Sequence, residues 1–169
     1  SQNGGGEVAL AGVPRADFTL STKIGRVLHP DRSGFDFDYS RDGVMRSLES
    51  SLKRLKLDAV DILHIHDADP SYPTEDALTK AFPTLLELRD EGVIKAIGAG
   101  MNEWETLDKL VRRGYDFDLF LLAGRYTLLE QGALDFLNLC TEKGIGILAA
   151  GVYNSGILAT GAKPGAKYN

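Results

Sequence analysis

Two histidines stand two residues apart at the end of an apolar run, in the sequence DILHIHD. Alternate residues of a strand point to the same face, so His64 and His66 would share one face. With the carboxylates of Asp67 and Asp69 nearby, such a pair can bind a divalent metal ion. It can equally be one catalytic imidazole above a packed one, or two structural histidines. The third histidine, His29, lies in a predicted loop, so a three-histidine site is difficult to build.

A lysine ends another strand-like segment. Residues 18–23 (FTLSTK) alternate in character, which places Lys23 on the same face as Thr19 and Ser21. A lysine at the inner rim of a sheet can have a lowered pKa or act as an electrostatic partner. It can also be a surface lysine whose aliphatic stem lies along the strand end.

Two glycine-rich stretches follow later strand-like segments, at 98–102 (GAGMN) and 151–156 (GVYNSG). Backbone N–H groups in glycine-rich turns can approach phosphate oxygens closely. Neither stretch fits the dinucleotide fingerprint or the P-loop, and each can be an ordinary tight turn. Trp104 and Tyr126 could stack on a ring, although core packing is the usual role of such side chains.

Strand and helix patterns alternate along the chain and must position these residues. Five strand-like segments are predicted, at 18–23, 60–66, 93–98, 117–122 and 145–149. Helices are predicted between them: one capped by Ser40, one from Thr74 with a break or restart at Pro83 and a stop at Gly92, one at 102–113 and one at 131–143. This order predicts an α/β fold with a parallel sheet. It fits an open flavodoxin-like sheet, or part of a (β/α)₈ barrel, which needs about 250 residues. In both, ligands bind at the carboxyl ends of the strands.

Composition narrows the function classes. The 169 residues suit one domain, and the net charge of −5 with no basic stripe argues against nucleic acid as a partner. No apolar run is long enough for a bilayer and no secretory signal is visible, so a membrane partner is not expected. The single cysteine, Cys140, excludes an internal disulfide and fits a reducing, cytoplasmic compartment. Residues 1–6 (SQNGGG) are expected to be a flexible lead-in to a domain over residues 7–169.

Taken together, these segments resemble the aldo-keto reductase superfamily, and within it the branch of aldose dehydrogenases and pyridoxal dehydrogenase-like proteins. The segment LSTKIGR is similar to the family strand whose lysine is in the active site, which falls on Lys23. VDILHIHD resembles the strand whose last histidine is catalytic, which falls on His66. KAIGAGMN resembles the strand whose asparagine holds the nicotinamide carboxamide, which falls on Asn102. AGRYTLL and GVYNSGIL resemble the next two strand ends, and the second of these matches the loop that receives the cofactor pyrophosphate.

The resemblance implies a (β/α)₈ TIM barrel of which this chain covers about five of the eight units, family strands 3 to 7. NADP or NAD would lie across the barrel mouth. The family's proton-donating tyrosine and the aspartate that pairs with the lysine have no counterpart ahead of Lys23, and the segment that binds the adenosine end is also not found. The chain therefore resembles part of a longer protein. The implied cofactor-binding residues are Asn102, Gly151, Val152, Tyr153, Asn154, Gly156 and Leu158.

The implied activity is that of an NAD(P)-dependent oxidoreductase. It would move a hydride between nicotinamide and the carbonyl or lactol carbon of an aldose or aldehyde, with Lys23 and His66 as catalytic residues and no metal. Two alternatives stay open. One is a metal-dependent barrel hydrolase that uses His64 and His66, and the other is a barrel fragment without catalytic activity. The sequence indicates no oligomeric state.

Overall fold

The computed structural model describes residues 12–29, 31, 33–67 and 74–165. The expected lead-in and Asp69 lie outside these ranges. Five parallel strands form one sheet, and two short antiparallel strands form a hairpin. The sheet strands are β1 (Ser21–Ile24), β4 (Ile62–His66), β5 (Ala96–Met101), β6 (Leu119–Ala123) and β7 (Gly146–Ala150), and the hairpin strands are β2 (Arg26–Leu28) and β3 (Phe35–Phe37).

Helices connect the sheet strands. They are α1 (Arg41–Leu55), α2 (three consecutive segments, Thr74–Asp76, the π-helical Ala77–Ala81 and Phe82–Asp90), α3 (Trp104–Arg112), α4 (Leu134–Lys143) and α5 (Ile157–Thr160). Short 3₁₀ turns occupy Arg15–Asp17 and Asn154–Gly156. No helix within the described ranges has the length and apolar character that crossing a bilayer requires.

The order of the strands decides between the two architectures. The sheet runs β1-β4-β5-β6-β7, so each strand pairs with the next sheet strand along the chain. A flavodoxin-like sheet reverses its strand order at a switch point, and this sheet does not. An uninterrupted sequence of parallel βα units is the wall of a barrel. The predicted α/β barrel is therefore confirmed, with five strands of the wall in this chain.

Helix α1 begins where the sequence predicts. Ser40 Oγ accepts a hydrogen bond from the backbone N–H of Gly43 at 3.0 Å, and the Ser40 hydroxyl donates to Asp38. The first bond satisfies one of the amide groups that a helix start leaves open, and the second orients the capping hydroxyl. Val44 and Leu48 are buried against the sheet, as their spacing predicts.

Of the break or restart expected at Pro83, the structure shows a restart. The π-helical turn Ala77–Ala81 ends two residues before this proline, and a new α-helical segment runs from Phe82 to Asp90 without interrupting the helix. The Phe82 N–H donates to the carbonyl of Ala77, one residue further back than in an α-helix. A proline ring clashes with the carbonyl four residues before it, and a widened turn is one way for a helix to accept it.

The third predicted strand is shifted along the chain. Prediction placed it at 93–98, whereas β5 is Ala96–Met101. The N–H groups of Val93 and Ile94 both donate to the carbonyl of Leu88, so these residues close the end of α2 instead. Consequently Gly98 and Gly100 lie inside a strand, and the interpretation of residues 98–102 as a turn around phosphate is wrong.

The β2–β3 hairpin was not predicted. It follows Gly25, whose φ of 98° is left-handed, and whose missing Cβ leaves room for the ring of Tyr39. The sequence pattern treats residues 25–37 as a loop because each hairpin strand is only three residues long. The hairpin begins just after β1, and Arg26 of its first strand lies 3.6 Å from Asp67, the residue after β4.

The two faces of the sheet differ. The outer face packs under the helices and is fully buried at Leu63, Ile65, Ile97, Phe120 and Leu122. The inner face carries the alternate residues, which include Lys23, His64, His66 and the β5 glycines. Leu148 on this face is 43% exposed. The core therefore lies between sheet and helices, and the inner face is free to form a site.

A buried carboxylate joins the amino ends of three strands. Asp61, directly before β4, accepts hydrogen bonds from the backbone N–H of Leu20 at 2.8 Å and from Arg15 at 2.6 Å. Its other oxygen lies 2.8 Å from Nζ of Lys95, directly before β5. These bonds hold the pKa of Asp61 well below its usual range, with the Lys95 bond as the largest cause. Asp118, before β6, repeats the pattern by accepting from Ile97 N–H at 2.7 Å.

We expect Asp61→Asn to lower the free energy of unfolding by about 1.5–3 kcal/mol at pH 7, because a charged acceptor is removed from several donors. The control Asp76→Asn removes an exposed i,i+4 pair with Lys80 and should cost below about 0.5 kcal/mol. Since the folded pKa of Asp61 is lowered, its contribution is present above about pH 4 and is lost on acidification. Urea unfolding at pH 7 and pH 3 checks both points. Equal losses in the two variants at pH 7 would contradict this role.

Candidate active site

The carboxyl ends of β1, β4 and β5 bring three predicted residues together on the inner face. Lys23 is paired with His64 across β1 and β4, and His64 with Gly98 across β4 and β5. His66 is paired with Gly100, one layer nearer the mouth. The prediction that the two histidines share a face, with Lys23 beside them, is therefore correct.

Two glycines of β5 make room for these side chains. A Cβ at Gly98 would overlap the imidazole of His64. A Cβ at Gly100 would lie 3.1 Å from Cε of Lys23, closer than a normal carbon–carbon contact. The lysine starts on β1 at the level of His64, yet its end reaches β5 at the level of His66. Its ammonium group is thereby carried across β4 toward His66.

His64 is 1% exposed, and neither of its ring nitrogens has a hydrogen-bond partner among the described residues. Burial, followed by the charge of Lys23, lowers its pKa to about 4. The same two causes, followed by the charge of Arg26, lower the pKa of the half-buried His66 to about 4. Both imidazoles are therefore neutral at pH 7, and each carries one donor and one acceptor nitrogen.

The backbone of His66 is held by Tyr39. The tyrosine hydroxyl donates to the carbonyl of His66 at 2.7 Å and lies 3.5 Å from the carbonyl of Asp67. Its ring occupies the space that the missing side chain of Gly25 leaves, and it stacks on Phe37 with centroids 5.5 Å apart. The hairpin thus fixes the strand end that presents the imidazole.

A pocket of about 240 Å³ opens at the carboxyl ends of β5, β6 and β7. Gly151 (φ 63°) and Gly124 (φ 73°) approach closely here, and the Gly124 N–H donates to Ala150 O at 2.8 Å. A Cβ at Gly151 would lie 3.2 Å from Gly124 N. The pocket is lined by Asn102, Ala123, Gly124, Arg125, Gly151, Asn154 and Ser155.

Asn154 is the unusual residue of this pocket. It is 3% exposed and has a left-handed backbone, with φ of 46°. Neither its amide nitrogen nor its amide oxygen is hydrogen-bonded within the described part of the chain. Buried polar atoms are normally paired, so this amide fits a ligand that carries polar groups.

The predicted cofactor residues divide into two groups. Asn102, Gly151 and Asn154 line the pocket, whereas Val152, Tyr153, Gly156 and Leu158 lie beside it on the same turn and at the start of α5. Prediction missed Arg125 and Ser155 as lining residues. Arg125 adds a cation to the pocket rim, and its place after β6 was the signal that could have pointed to it.

The alternative metal site gains no support. Among the residues that the structure describes, no group of three or more histidine, cysteine or acidic side chains is placed to hold a metal ion. Nδ1 of His64 faces Gly98 of β5, and within the described residues no carboxylate is hydrogen-bonded to either nitrogen of this ring.

Comparison with known proteins decides the family. The model of the aldo/keto reductase family matches residues 5–169. The chain belongs to the aldo/keto reductase family. It is 42% identical over 165 residues to D-threo-aldose 1-dehydrogenase of a Pseudomonas species, with 86% of this chain and 50% of that protein covered. It is 38% identical over 172 residues to pyridoxal 4-dehydrogenase of Microbacterium luteolum, with 83% and 50% covered.

Solved aldo/keto reductases share the fold. The holo form of an aldo-keto reductase from Bacillus halodurans matches with a TM-score of 0.80 at 23% identity, over 95% of this chain and 51% of that one. A glycerol dehydrogenase from Gluconobacter oxydans matches with a TM-score of 0.72 at 22% identity, over 96% and 49%. The chain thus spans about half the length of the aldo/keto reductases that it matches, and the resemblance in the sequence is confirmed.

We expect Gly98→Ala to lower the free energy of unfolding by about 1–3 kcal/mol, because the new methyl group overlaps the buried ring of His64. Gly146→Ala in β7 is the matched control, since its Cβ would meet only Leu119 and Asp118 at ordinary distances of 3.4 Å and 3.6 Å. That control should change stability by less than about 1 kcal/mol. Denaturant unfolding of both variants compares them, and equal effects would argue against close packing of His64 on β5.

The buried histidines predict a pH-dependent stability. Their folded pKa is about 4, below the value of about 6.5 expected for an unfolded chain. Between these values the unfolded chain binds more protons, so stability falls as the pH is lowered from 6.5 to 4 and is unaffected above. Between pH 8 and pH 5, the free energy of unfolding should fall by about 1–2 kcal/mol less in His64→Gln than in the unchanged protein. Urea unfolding at the two pH values measures this difference, and an unaltered pH dependence would show that His64 is not buried as a neutral ring.

Proposed function

We propose that this chain is the central part of an NAD(P)-dependent oxidoreductase that acts on the carbonyl or lactol carbon of an aldose or aldehyde. The observation that carries the proposal is the Lys23 side chain, which crosses β4 and reaches Gly100 at the level of the neutral His66. The names of the two relatives, an aldose dehydrogenase and a pyridoxal dehydrogenase, support the substrate class.

Lys23 supplies positive charge at the mouth of the barrel. A nearby cation favours the ionised form of an acidic group and lowers its pKa, which helps a hydroxyl group release its proton. By the resemblance, that hydroxyl belongs to a tyrosine, and an aspartate pairs with Lys23. Both the tyrosine and the aspartate lie on strands that precede the lysine strand in the family. We propose that the rest of the barrel supplies both residues and completes residues 7–169 into one domain.

His66 serves as the orienting group. Its ring is neutral at pH 7 because of its low pKa, so one nitrogen donates and the other accepts. A neutral imidazole at hydrogen-bond distance from a substrate oxygen can hold that oxygen in place and assist proton movement. Tyr39 keeps the backbone of His66 fixed, so the ring need not reorganise when substrate binds.

The pocket beside this site is where we propose that NADP or NAD binds. The cofactor, when bound, supplies or accepts the hydride that the protein side chains cannot carry. Asn102 at the end of β5 would bind the carboxamide, and the turn from Gly151 to Asn154 would bind the pyrophosphate with Val152, Tyr153, Gly156 and Leu158 beside it. The unpaired amide of Asn154 supports this assignment. A cytoplasmic location agrees with the buried free thiol of Cys140.

We expect Lys23→Met and His66→Gln, each made in the full-length protein, to lower kcat for aldose oxidation by about 100-fold or more, the scale of acid–base assistance. Matched controls are Lys53→Met, on the exposed side of α1, and His29→Gln, on the hairpin. Both controls should keep near-normal kcat. Steady-state kinetics with NADP and with NAD measure the effect.

Three results would count against the proposal. Near-normal kcat/KM in either catalytic variant would remove that residue from the mechanism. Loss of aldose oxidation on treatment with EDTA, restored by a divalent metal ion, would contradict the metal-free mechanism. Tight binding of NADP or NAD without turnover of any aldose or aldehyde would indicate a barrel that binds but does not catalyse.

A further inference from the structure

Two oppositely charged side chains stand beside His66 and have no part in the proposed chemistry. They are Arg26, the first residue of β2, and Asp67, the residue after β4. Oδ2 of Asp67 lies 3.4 Å from Nε2 of His66 and 3.6 Å from a terminal guanidinium nitrogen of Arg26. The pair therefore lies beside the imidazole that is proposed to orient the substrate.

Arg26 is held in place without using all of its donors. Its guanidinium group lies 3.7 Å from the ring centre of Phe35, a cation–π arrangement that fixes the plane of the group. Its Nε is buried and has no hydrogen-bond partner in the described ranges. The 3.6 Å separation from Asp67 is longer than a hydrogen bond, so this ion pair does not consume the donors of Arg26. The side chain is 29% exposed and can be reached from the mouth.

Asp67 is placed at the site by its backbone. Its φ of 50° is left-handed, a conformation that costs most residues free energy and is found at sites where the surrounding structure enforces it. The surrounding structure here consists of its N–H donating to Gly100 O at 3.0 Å and the Tyr39 hydroxyl near its carbonyl. Its carboxylate is 24% exposed, next to the imidazole.

These two groups select a particular substrate chemistry. An ionised carboxylate only accepts hydrogen bonds and a guanidinium group only donates them, whereas a hydroxyl group does both. Neighbouring hydroxyl groups of a sugar can donate to Asp67 and accept from Arg26. An aldehyde without hydroxyl groups would offer no hydrogen bond to either charged side chain, and sites built around a substrate hydroxyl reject such analogues strongly.

The geometry points to Arg26 and Asp67 as a specificity-determining pair that binds the hydroxyl groups next to the reacting carbon of a polyhydroxylated substrate. This inference rests on the proposed function, because it concerns the substrate of the same site. It assigns the hairpin a role in recognition, since Arg26 and Phe35 lie on its two strands.

The test removes a hydroxyl group from the substrate and, separately, the charges from the protein. Oxidation of galactose and arabinose by the full-length protein is compared with oxidation of 2-deoxygalactose and 2-deoxyribose. We expect kcat/KM to be about 10- to 100-fold higher for each sugar that carries the 2-hydroxyl group than for its 2-deoxy form. This is the effect expected when one hydrogen bond to a charged group is lost. In Arg26→Gln and Asp67→Asn this ratio should fall to within about threefold of one. In the double variant, kcat/KM for the hydroxylated sugars should be little lower than in either single variant, because the two residues act on the same part of the substrate.

The matched control is Arg41→Gln. Arg41 forms a comparable arginine–carboxylate pair with Glu87 at 3.4 Å, but on the exposed helix surface. In Arg41→Gln, the ratio of kcat/KM for the hydroxylated sugar to kcat/KM for the deoxy sugar should equal the ratio in the unchanged protein. Thermal unfolding of each variant shows whether it is folded. The comparison of substrates on the unchanged protein is informative even where a variant fails to fold.

The two proposals can fail separately. Equal kcat/KM for sugar and deoxy sugar in the unchanged protein, or variants that lower both by the same factor, would overturn the role of the pair. Reduction of butanal with NADPH or NADH is measured alongside. If butanal is reduced while the pair fails its test, only this inference is lost. If neither sugars nor butanal react, the proposed function and the inference both fail.

Discussion

The carboxylate of Asp61 links three strands at the end of the sheet opposite the site. It accepts from the N–H of Leu20, which precedes β1, and from the side chain of Lys95, which precedes β5, while itself preceding β4. The amino ends of these strands are thus held at one level. Because a slip of one residue turns a strand's side chains to the opposite face, this registration decides whether Lys23 and His66 meet at the mouth. The chemistry at one end of β4 depends on an ion pair at the other.

Within that register, the site depends on two side chains that are absent. Gly98 and Gly100 have no Cβ, so His64 can lean on β5 and Lys23 can cross β4 to reach the level of His66. Glycine weakens a strand because it has no side chain to pack, and such a glycine often marks a close approach. Here the close approach brings an ammonium group to buried imidazoles, which is one reason that both histidines stay neutral. The two glycines therefore weaken β5, and the space that they leave is occupied by the side chains of His64 and Lys23.

The binding surfaces come from loops that sequence patterns describe poorly. The pocket joins the ends of β5, β6 and β7, with residues from Asn102 to Ser155. The hairpin places Arg26 beside Asp67, although the intervening chain contains all of α1. Both surfaces rest on rigid strand ends, while their chemistry lies in short turns with left-handed residues such as Asp67 and Asn154.

Residue patterns alone predict the α/β class, the cap at Ser40, the shared face of His64 and His66 and the place of Lys23 at a strand end. These are local properties, set by residue periodicity and by hydrogen bonds between near neighbours. Residue patterns did not place Gly98 and Gly100 inside β5, because a Gly-Ala-Gly run has the same local preferences as a turn; only the family resemblance of residues 95–102 treated this segment as a strand. Nor could residue patterns show the hairpin, the π-helical turn ahead of Pro83, or the contact of Arg26 with Asp67. Those features were decided by tertiary structure, since each depends on atoms brought close by the register of the strands rather than by their spacing along the chain.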